Sequence, residues 1–162
     1  MSTTDDVLRN AEQYASSFDK GNLPMPPGRK LAVVACMDAR LIPTKVLGLQ
    51  EGEAHVIRNA GGVVTDDTIR SLAISQHKLG TEEIILIHHT DCGMLTFRDD
   101  DFREELQDET GVKPAWAAES FTDLERDLRQ SMERIRTSPF IPNRNVRGFV
   151  FEVETGKLRE VG

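Results

Sequence analysis

Two cysteines and four histidines occur in the 162 residues, and three of these six side chains fall in two short patterns, Cys36-Met37-Asp38-Ala39-Arg40 and His89-Thr90-Asp91-Cys92-Gly93. Two thiolates and an imidazole make a soft tetrahedral donor set that suits zinc, with a fourth position left for water or a carboxylate. Three protein ligands define a site that can be catalytic. His89 and Cys92, three positions apart on one turn, can reach the same ion, and Cys36 closes the site from a neighbouring strand. Asp38 and Arg40 add what a structural zinc site does not need. Two residues apart in an extended segment, they point to one side, where a guanidinium can clamp the carboxylate through two hydrogen bonds. Held in that way, Asp38 sits beside the metal and accepts a hydrogen bond from bound hydroxide; released, it ligates zinc and displaces the nucleophile. Each pattern alone has a plainer reading. A lone cysteine at a strand end is usually a small buried hydrophobe, and an Asp/Arg pair is usually an ordinary ion pair. Their coincidence is what argues for a metal. Neighbouring strand residues face opposite ways, so His88 packs away from a metal-facing His89. His77, on a helix, and His55, in a strand, are read as structural.

These residues need elements to carry them. Leu31-Ala32-Val33-Val34-Ala35 is an apolar, β-branched run suited to a strand buried on both faces, and it ends at Cys36. A second strand is expected at 54–57. After Arg58-Asn59-Ala60-Gly61-Gly62, Thr65 can cap a helix with Asp66 and Asp67 in its first turn, a stripe of Ile69, Leu72, Ala73 and Leu79, and Gly80 as its stop. Ile84-Ile85-Leu86-Ile87 is a third strand leading into His88-His89. Two further helices are expected, one opened by Asp99–Asp101 with Phe102 and Leu106 inward, the other carrying Phe121, Leu124, Leu128, Met132 and Ile135 up to Pro139. Gly148–Val153, then Glu154–Lys157 and Leu158, reads as a closing strand with a tight turn. Ahead of all this, Val7, Ala11, Tyr14, Ala15 and Phe18 recur at helical spacing and are cut off by Gly21 and Pro24-Met25-Pro26-Pro27. The expected organisation is one domain over 1–162, with an amphipathic arm at 1–20, a linker at 21–30 and a core at 31–162. Strands alternating with helices predict an α/β fold with a mainly parallel sheet, whose ligands sit beyond the carboxyl ends of its strands.

The net charge of −7 is spread along the chain without a basic stripe, which argues against a nucleic-acid partner. Met1-Ser2-Thr3-Thr4-Asp5-Asp6 lacks the start of a signal peptide, and no apolar run approaches a membrane span. A cytoplasmic protein with reduced thiols and no membrane partner is expected.

Cys-x-Asp-x-Arg followed by His-x-x-Cys-Gly, with Arg58-Asn59-Ala60-Gly61 between them, resembles the β-class carbonic anhydrases from about Leu31 to the closing strand. The resemblance implies Cys36, His89 and Cys92 as ligands of one zinc per chain, and Asp38 and Arg40 as the catalytic dyad, with Asp38 a ligand only in a closed, inactive state. It also implies that Gly93, with Ala60 and Gly61, binds substrate. The implied fold has four parallel strands and one antiparallel strand, and the implied unit is a homodimer or higher homo-oligomer onto which each amino-terminal helix reaches across. Reversible hydration of carbon dioxide to bicarbonate and a proton, by attack of zinc-bound hydroxide, is the expected activity. Hydrolysis of carbonyl sulfide or carbon disulfide is the alternative by the same attack, and a non-enzymatic assembly or anion-sensing module the second. His55 and Gly62 stand where the family commonly has an aromatic residue and an asparagine, and both departures are expected to shape the substrate pocket.

Overall fold

The computed structural model describes all 162 residues. Five strands form one sheet in the order β2-β1-β3-β4-β5: β1 Leu31–Cys36, β2 Ala54–Asn59, β3 Glu83–His89, β4 Asn145–Phe151 and β5 Leu158–Val161. The first four are mutually parallel, and β5 returns antiparallel to β4. This is the predicted α/β architecture. The chain steps from β1 outward to β2, then crosses back to place β3 on the other side of β1, so the order reverses between β1 and β3. In open α/β sheets such a reversal leaves a crevice at the carboxyl ends of the two strands.

Alternation along the strands divides the core between the two faces of the sheet. Ala32 and Val34 of β1 and Ile84 and Leu86 of β3 face helices α3 (Asp66–Leu79) and α5 (Leu124–Thr137), where they pack with Leu72, Leu128, Met132 and Ile135. Val33, Ala35 and Ile87 face the other way, toward Leu41, Met94 and Phe121. Each fully buried valine, leucine or isoleucine side chain here contributes roughly 1.5–3 kcal/mol of transfer free energy. The same alternation parts the two adjacent histidines at the end of β3, as the sequence predicts.

Thr65 caps α3 by accepting from Thr68 N, and Gly80 ends it in the left-handed conformation. The buried side of α3 is more polar than its aliphatic stripe suggests, because Thr68, Ser75 and Gln76 are buried beside Leu72. The second strand runs two residues past its expected end, to Asn59, by pairing with β1 as far as Cys36. Phe121 precedes α5 instead of riding on it, since Asp123 caps that helix. Helix α4 (Asp99–Thr110) buries none of its residues fully. A short helix α2 (Pro43–Leu47), started by its proline and ended by Gly48, goes unseen in the hydrophobic pattern because five residues are too few to show a period. The arm is helix α1 (Thr3–Ser16), closed at its start by a Ser2/Asp5 capping box. No residue of α1 is buried, and its apolar side chains Val7, Leu8 and Tyr14 are each more than half exposed.

Candidate metal centre

Cys36 ends β1 where Met37 N still bonds Asn59 O of β2 at 2.8 Å, so the sulfur is delivered by the last ladder position of a fully buried strand. The chain then turns sharply. Asp38 Oδ1 accepts from Arg40 N at 2.8 Å and Asp38 O from Leu41 N at 3.1 Å. A guanidinium from β2 locks this turn: Arg58 donates to the carbonyls of Cys36 (2.8 and 2.9 Å), Asp38 (2.8 Å) and Leu41 (2.6 Å). Sequence reasoning gave Arg58 no role. Its signal was an arginine at a strand end with no acid nearby in sequence, and its partners are carbonyls that only the fold supplies.

His89 ends β3. Its Nδ1 lies 2.7 Å from Thr90 O, which fixes the tautomer with the proton on Nδ1 and leaves the Nε2 lone pair free. Nε2 is buried and without a partner, an orphan that a metal ion would satisfy. The next residues are tied down from β4: Thr90 N donates to Phe151 O at 2.9 Å, and Thr90 Oγ1 accepts from Val153 N at 3.0 Å. Asp91 takes a left-handed φ of 52°, and this kink returns Cys92 toward the histidine.

One donor atom each from Cys36, His89 and Cys92 lies within 4.8 Å of the others, all three residues being buried. A tetrahedral zinc with bonds of about 2.0–2.3 Å needs donors roughly 3.5–4 Å apart, which this clustering accommodates. The protonation of the thiols points the same way. Cys36 is drawn well below the ordinary thiol range by a hydrogen bond from Cys92, with the main-chain N–H groups of Asp38 and Gly61 adding to it. Cys92 is pushed up because it is the donor to Cys36 and because burial opposes its ionisation. The two sulfurs can share one proton, but both become thiolates only if a cation takes its place. The three residues therefore fit zinc, which Cys36, Cys92 and the free nitrogen of His89 would hold.

Asp38 stands beside this cluster, with Oδ2 3.7 Å from His89 Nε2. Both carboxylate oxygens are engaged by Arg40, Nε on Oδ1 at 3.0 Å and Nη2 on Oδ2 at 2.9 Å. These bonds hold the Asp38 carboxyl well below the usual carboxylate range, so it is ionised at any working pH. This is the clamp geometry expected of residues two apart. The guanidinium also reaches Asp91, a contact the spacing of the first pattern does not reveal.

Gly93 follows Cys92 with open space on the side where a Cβ would stand. Ala60 is half-buried, and Gly61 is covered, a Cβ there meeting Met94 Cγ at 3.0 Å and Phe121 Cε1 at 3.2 Å, so only its main chain is free to act. At Gly62, with φ 66°, a Cβ would lie 2.7 Å from Cys36 N and 3.1 Å from Ile87 O. Gly62 therefore packs against the sheet backbone, a close approach that only glycine allows. His55 bonds α3 and is no part of the cluster, its Nδ1 2.7 Å from Ser75 Oγ. His88 faces α5, with Nε2 2.7 Å from Asp127 Oδ2 and its ring stacked on Phe121, while His77 bonds Phe140 O at 3.0 Å. Five surface cavities of 290–740 Å³ are lined by other residues than Cys36, Asp38, His89 and Cys92.

Comparison with known proteins agrees with this chemistry. Residues 31–133 match the carbonic anhydrase family. The chain is 64% identical to β-carbonic anhydrase 1 of Mycobacterium tuberculosis over 162 residues, 99% of each. A crystal structure of carbonic anhydrase from Streptococcus mutans superposes with a TM-score of 0.93 at 41% identity, covering 100% of this chain and 99% of that one. A carbon disulfide hydrolase of Acidithiobacillus thiooxidans is 36% identical, with 91% of this chain and 88% of that protein aligned. With its ligand cluster at the switch point of a five-stranded sheet and relatives of this closeness along its whole length, the chain belongs to the β class of the carbonic anhydrase family.

Proposed function

We propose that this zinc lyase hydrates carbon dioxide reversibly with Asp38 and Arg40 as its catalytic pair, Asp38 accepting a hydrogen bond from the attacking water and Arg40 keeping that carboxylate off the metal. The observation that carries this reading is the position of Asp38, 3.7 Å from His89 Nε2 yet bound through both oxygens to Arg40. Zinc, when bound, supplies the Lewis acidity that makes water a nucleophile near neutral pH. The chain does the rest. Cys36, His89 and Cys92 present their donors from two strand ends, Asp38 orients the nucleophile by taking its proton-side hydrogen bond, and the space beside Gly93 receives the linear substrate with main chain from Ala60 and Gly61 at its wall. A non-catalytic module in which Asp38 permanently fills the fourth metal position fits poorly with a carboxylate whose two oxygens are already spent on a guanidinium.

The relatives named for carbon disulfide hydrolysis make the reacting carbon the point to test, because both reactions use the same attack. Proton release on mixing with carbon dioxide, followed by stopped flow, is compared with sulfide release from carbonyl sulfide and carbon disulfide on one preparation. Turnover of carbon dioxide far above both sulfur substrates is expected, and the reverse ratio would overturn the assignment.

The proposed unit is a homodimer acting in the cytoplasm as a single 1–162 domain. Support comes from α1, whose Val7, Leu8 and Tyr14 stay more than half exposed on their own chain, and from two ligating thiols that suit a reducing compartment.

A further inference from the structure

The guanidinium of Arg40 is gripped from two sides. Toward β1 it uses Nε and Nη2 on the two oxygens of Asp38. Toward the loop after β3 it uses Nη1 on Asp91 Oδ2 at 2.8 Å and Nη2 on Asp91 O at 2.9 Å. A guanidinium offers five N–H groups in a rigid plane, and these contacts use different ones, so the two aspartates complement each other instead of competing.

The placement of Asp91 is built into the loop. Its φ of 52° is uncommon outside glycine, and aspartate is among the residues that tolerate it best. Both neighbours are fixed, Thr90 N on Phe151 O at 2.9 Å and Cys92 O by Leu95 N at 3.0 Å. The kink between them turns His89 and Cys92 inward and sends the carbonyl and carboxylate of Asp91 outward to Arg40. Arg40 needs such a second hold. Its side chain is 48% exposed and long, and a single carboxylate on one edge would leave it free to swing into solvent.

We propose that Asp91 is a positioning residue for the Asp38–Arg40 pair: it seats the guanidinium from its outer edge, so that the fork faces Asp38 and that carboxylate stays off the metal. Arg40 thereby joins the segment that carries Cys36 to the segment that carries His89 and Cys92. The inference rests on the clamp reading of Arg40, and the experiment separates the two.

Asp91→Asn and Asp91→Gly both preserve the carbonyl contact, and asparagine and glycine both accept the left-handed backbone, so strain does not enter the comparison. In zinc-loaded protein we expect kcat/KM for carbon dioxide to fall about tenfold in each, with one zinc retained per chain. The same substitutions added to Arg40→Ala should cause no further fall, because the group they position is gone. A second readout is independent of turnover. In cobalt-substituted wild type the visible bands should change with pH, and the amplitude of that change should shrink in Asp91→Asn if Asp38 takes the open metal position in more of the molecules. An unchanged kcat/KM with full cobalt amplitude in both variants, an equal fall in the Arg40→Ala background, or a loss of zinc would each overturn the role of Asp91 while leaving the clamp intact. A fully active Arg40→Ala would overturn both.

Discussion

At the level of single residues, one carboxylate stands between two partners. Asp38 lies within reach of the metal position and is held by two hydrogen bonds to Arg40. Removing the fork should therefore do more than delete a surface charge. In Arg40→Ala the carboxylate is freed while all three ligands remain, and kcat/KM should drop about a hundredfold with metal content near one zinc per chain. Lysine at position 40 should rescue poorly, since a point charge cannot engage both oxygens. Parallel metal analysis and stopped-flow assays check this, and wild-type turnover in Arg40→Ala would refute it. The ligands behave differently. Cys36→Ser, His89→Ala and Cys92→Ser should each lose most of the zinc, because thiolate and imidazole supply the affinity.

Among elements, the site depends on two approaches too close for a side chain and on one carboxylate that ties helices together. Gly62 lies against Cys36 N and Ile87 O with φ 66°, so Gly62→Ala combines a left-handed alanine with a clash against backbone that cannot yield. A loss of about 3 kcal/mol in urea unfolding is expected, with zinc affinity falling because the displaced strand carries Cys36. Asp99, in the first turn of α4, accepts from Glu119 N at 3.0 Å and Ser120 N at 2.7 Å and so fastens the segment leading into α5. Burial raises its pKa, but the hydrogen bonds from Ser120 and Glu119 outweigh that and leave it below the usual value. A depressed folded pKa means stability that is present above the unfolded value of about 3.9 and is lost as pH falls through the folded one. Asp99→Asn should cost about 1 kcal/mol at neutral pH, and the gap between variant and wild type should close in thermal melts below about pH 4.

At the scale of the whole molecule, α1 leaves an apolar face exposed. Tyr14 and Phe18 touch each other, the ring centroids 5.7 Å apart, and Lys20 pairs with Glu51 at 2.6 Å, yet no residue of the helix is buried. A helix this short is marginal by itself in water and gains its stability from packing. Removing residues 1–21 should lower the association constant about tenfold or more without unfolding the core, because none of the buried core residues lies in that segment. Light scattering across a dilution series distinguishes the cases, and identical masses for full-length and truncated chains would mean that α1 takes no part in assembly.

Much of this was readable in the residues themselves. Cysteines ending one apolar run and following another, a histidine three positions from the second, and an Asp-x-Arg beside the first specify donor chemistry that depends on side-chain type and local spacing alone. The strands were readable because β-branched runs between turn residues carry their own signal, and the parity of His88 and His89 because alternation is intrinsic to a strand. What the tertiary structure decided was everything resting on contacts between distant segments. Arg58 locks the Cys36 turn only because β2 pairs with β1, and Asp91 meets Arg40 only because β3 lies on the other side of that strand. Gly62 is confined by the backbone of two strands at once, and the buried face of α3 is polar because Ser75 has His55 of β2 to bond. Local sequence encodes a residue's chemistry and its preferred backbone; which partner it meets depends on strand order and register, and those are settled by the burial of the whole sheet.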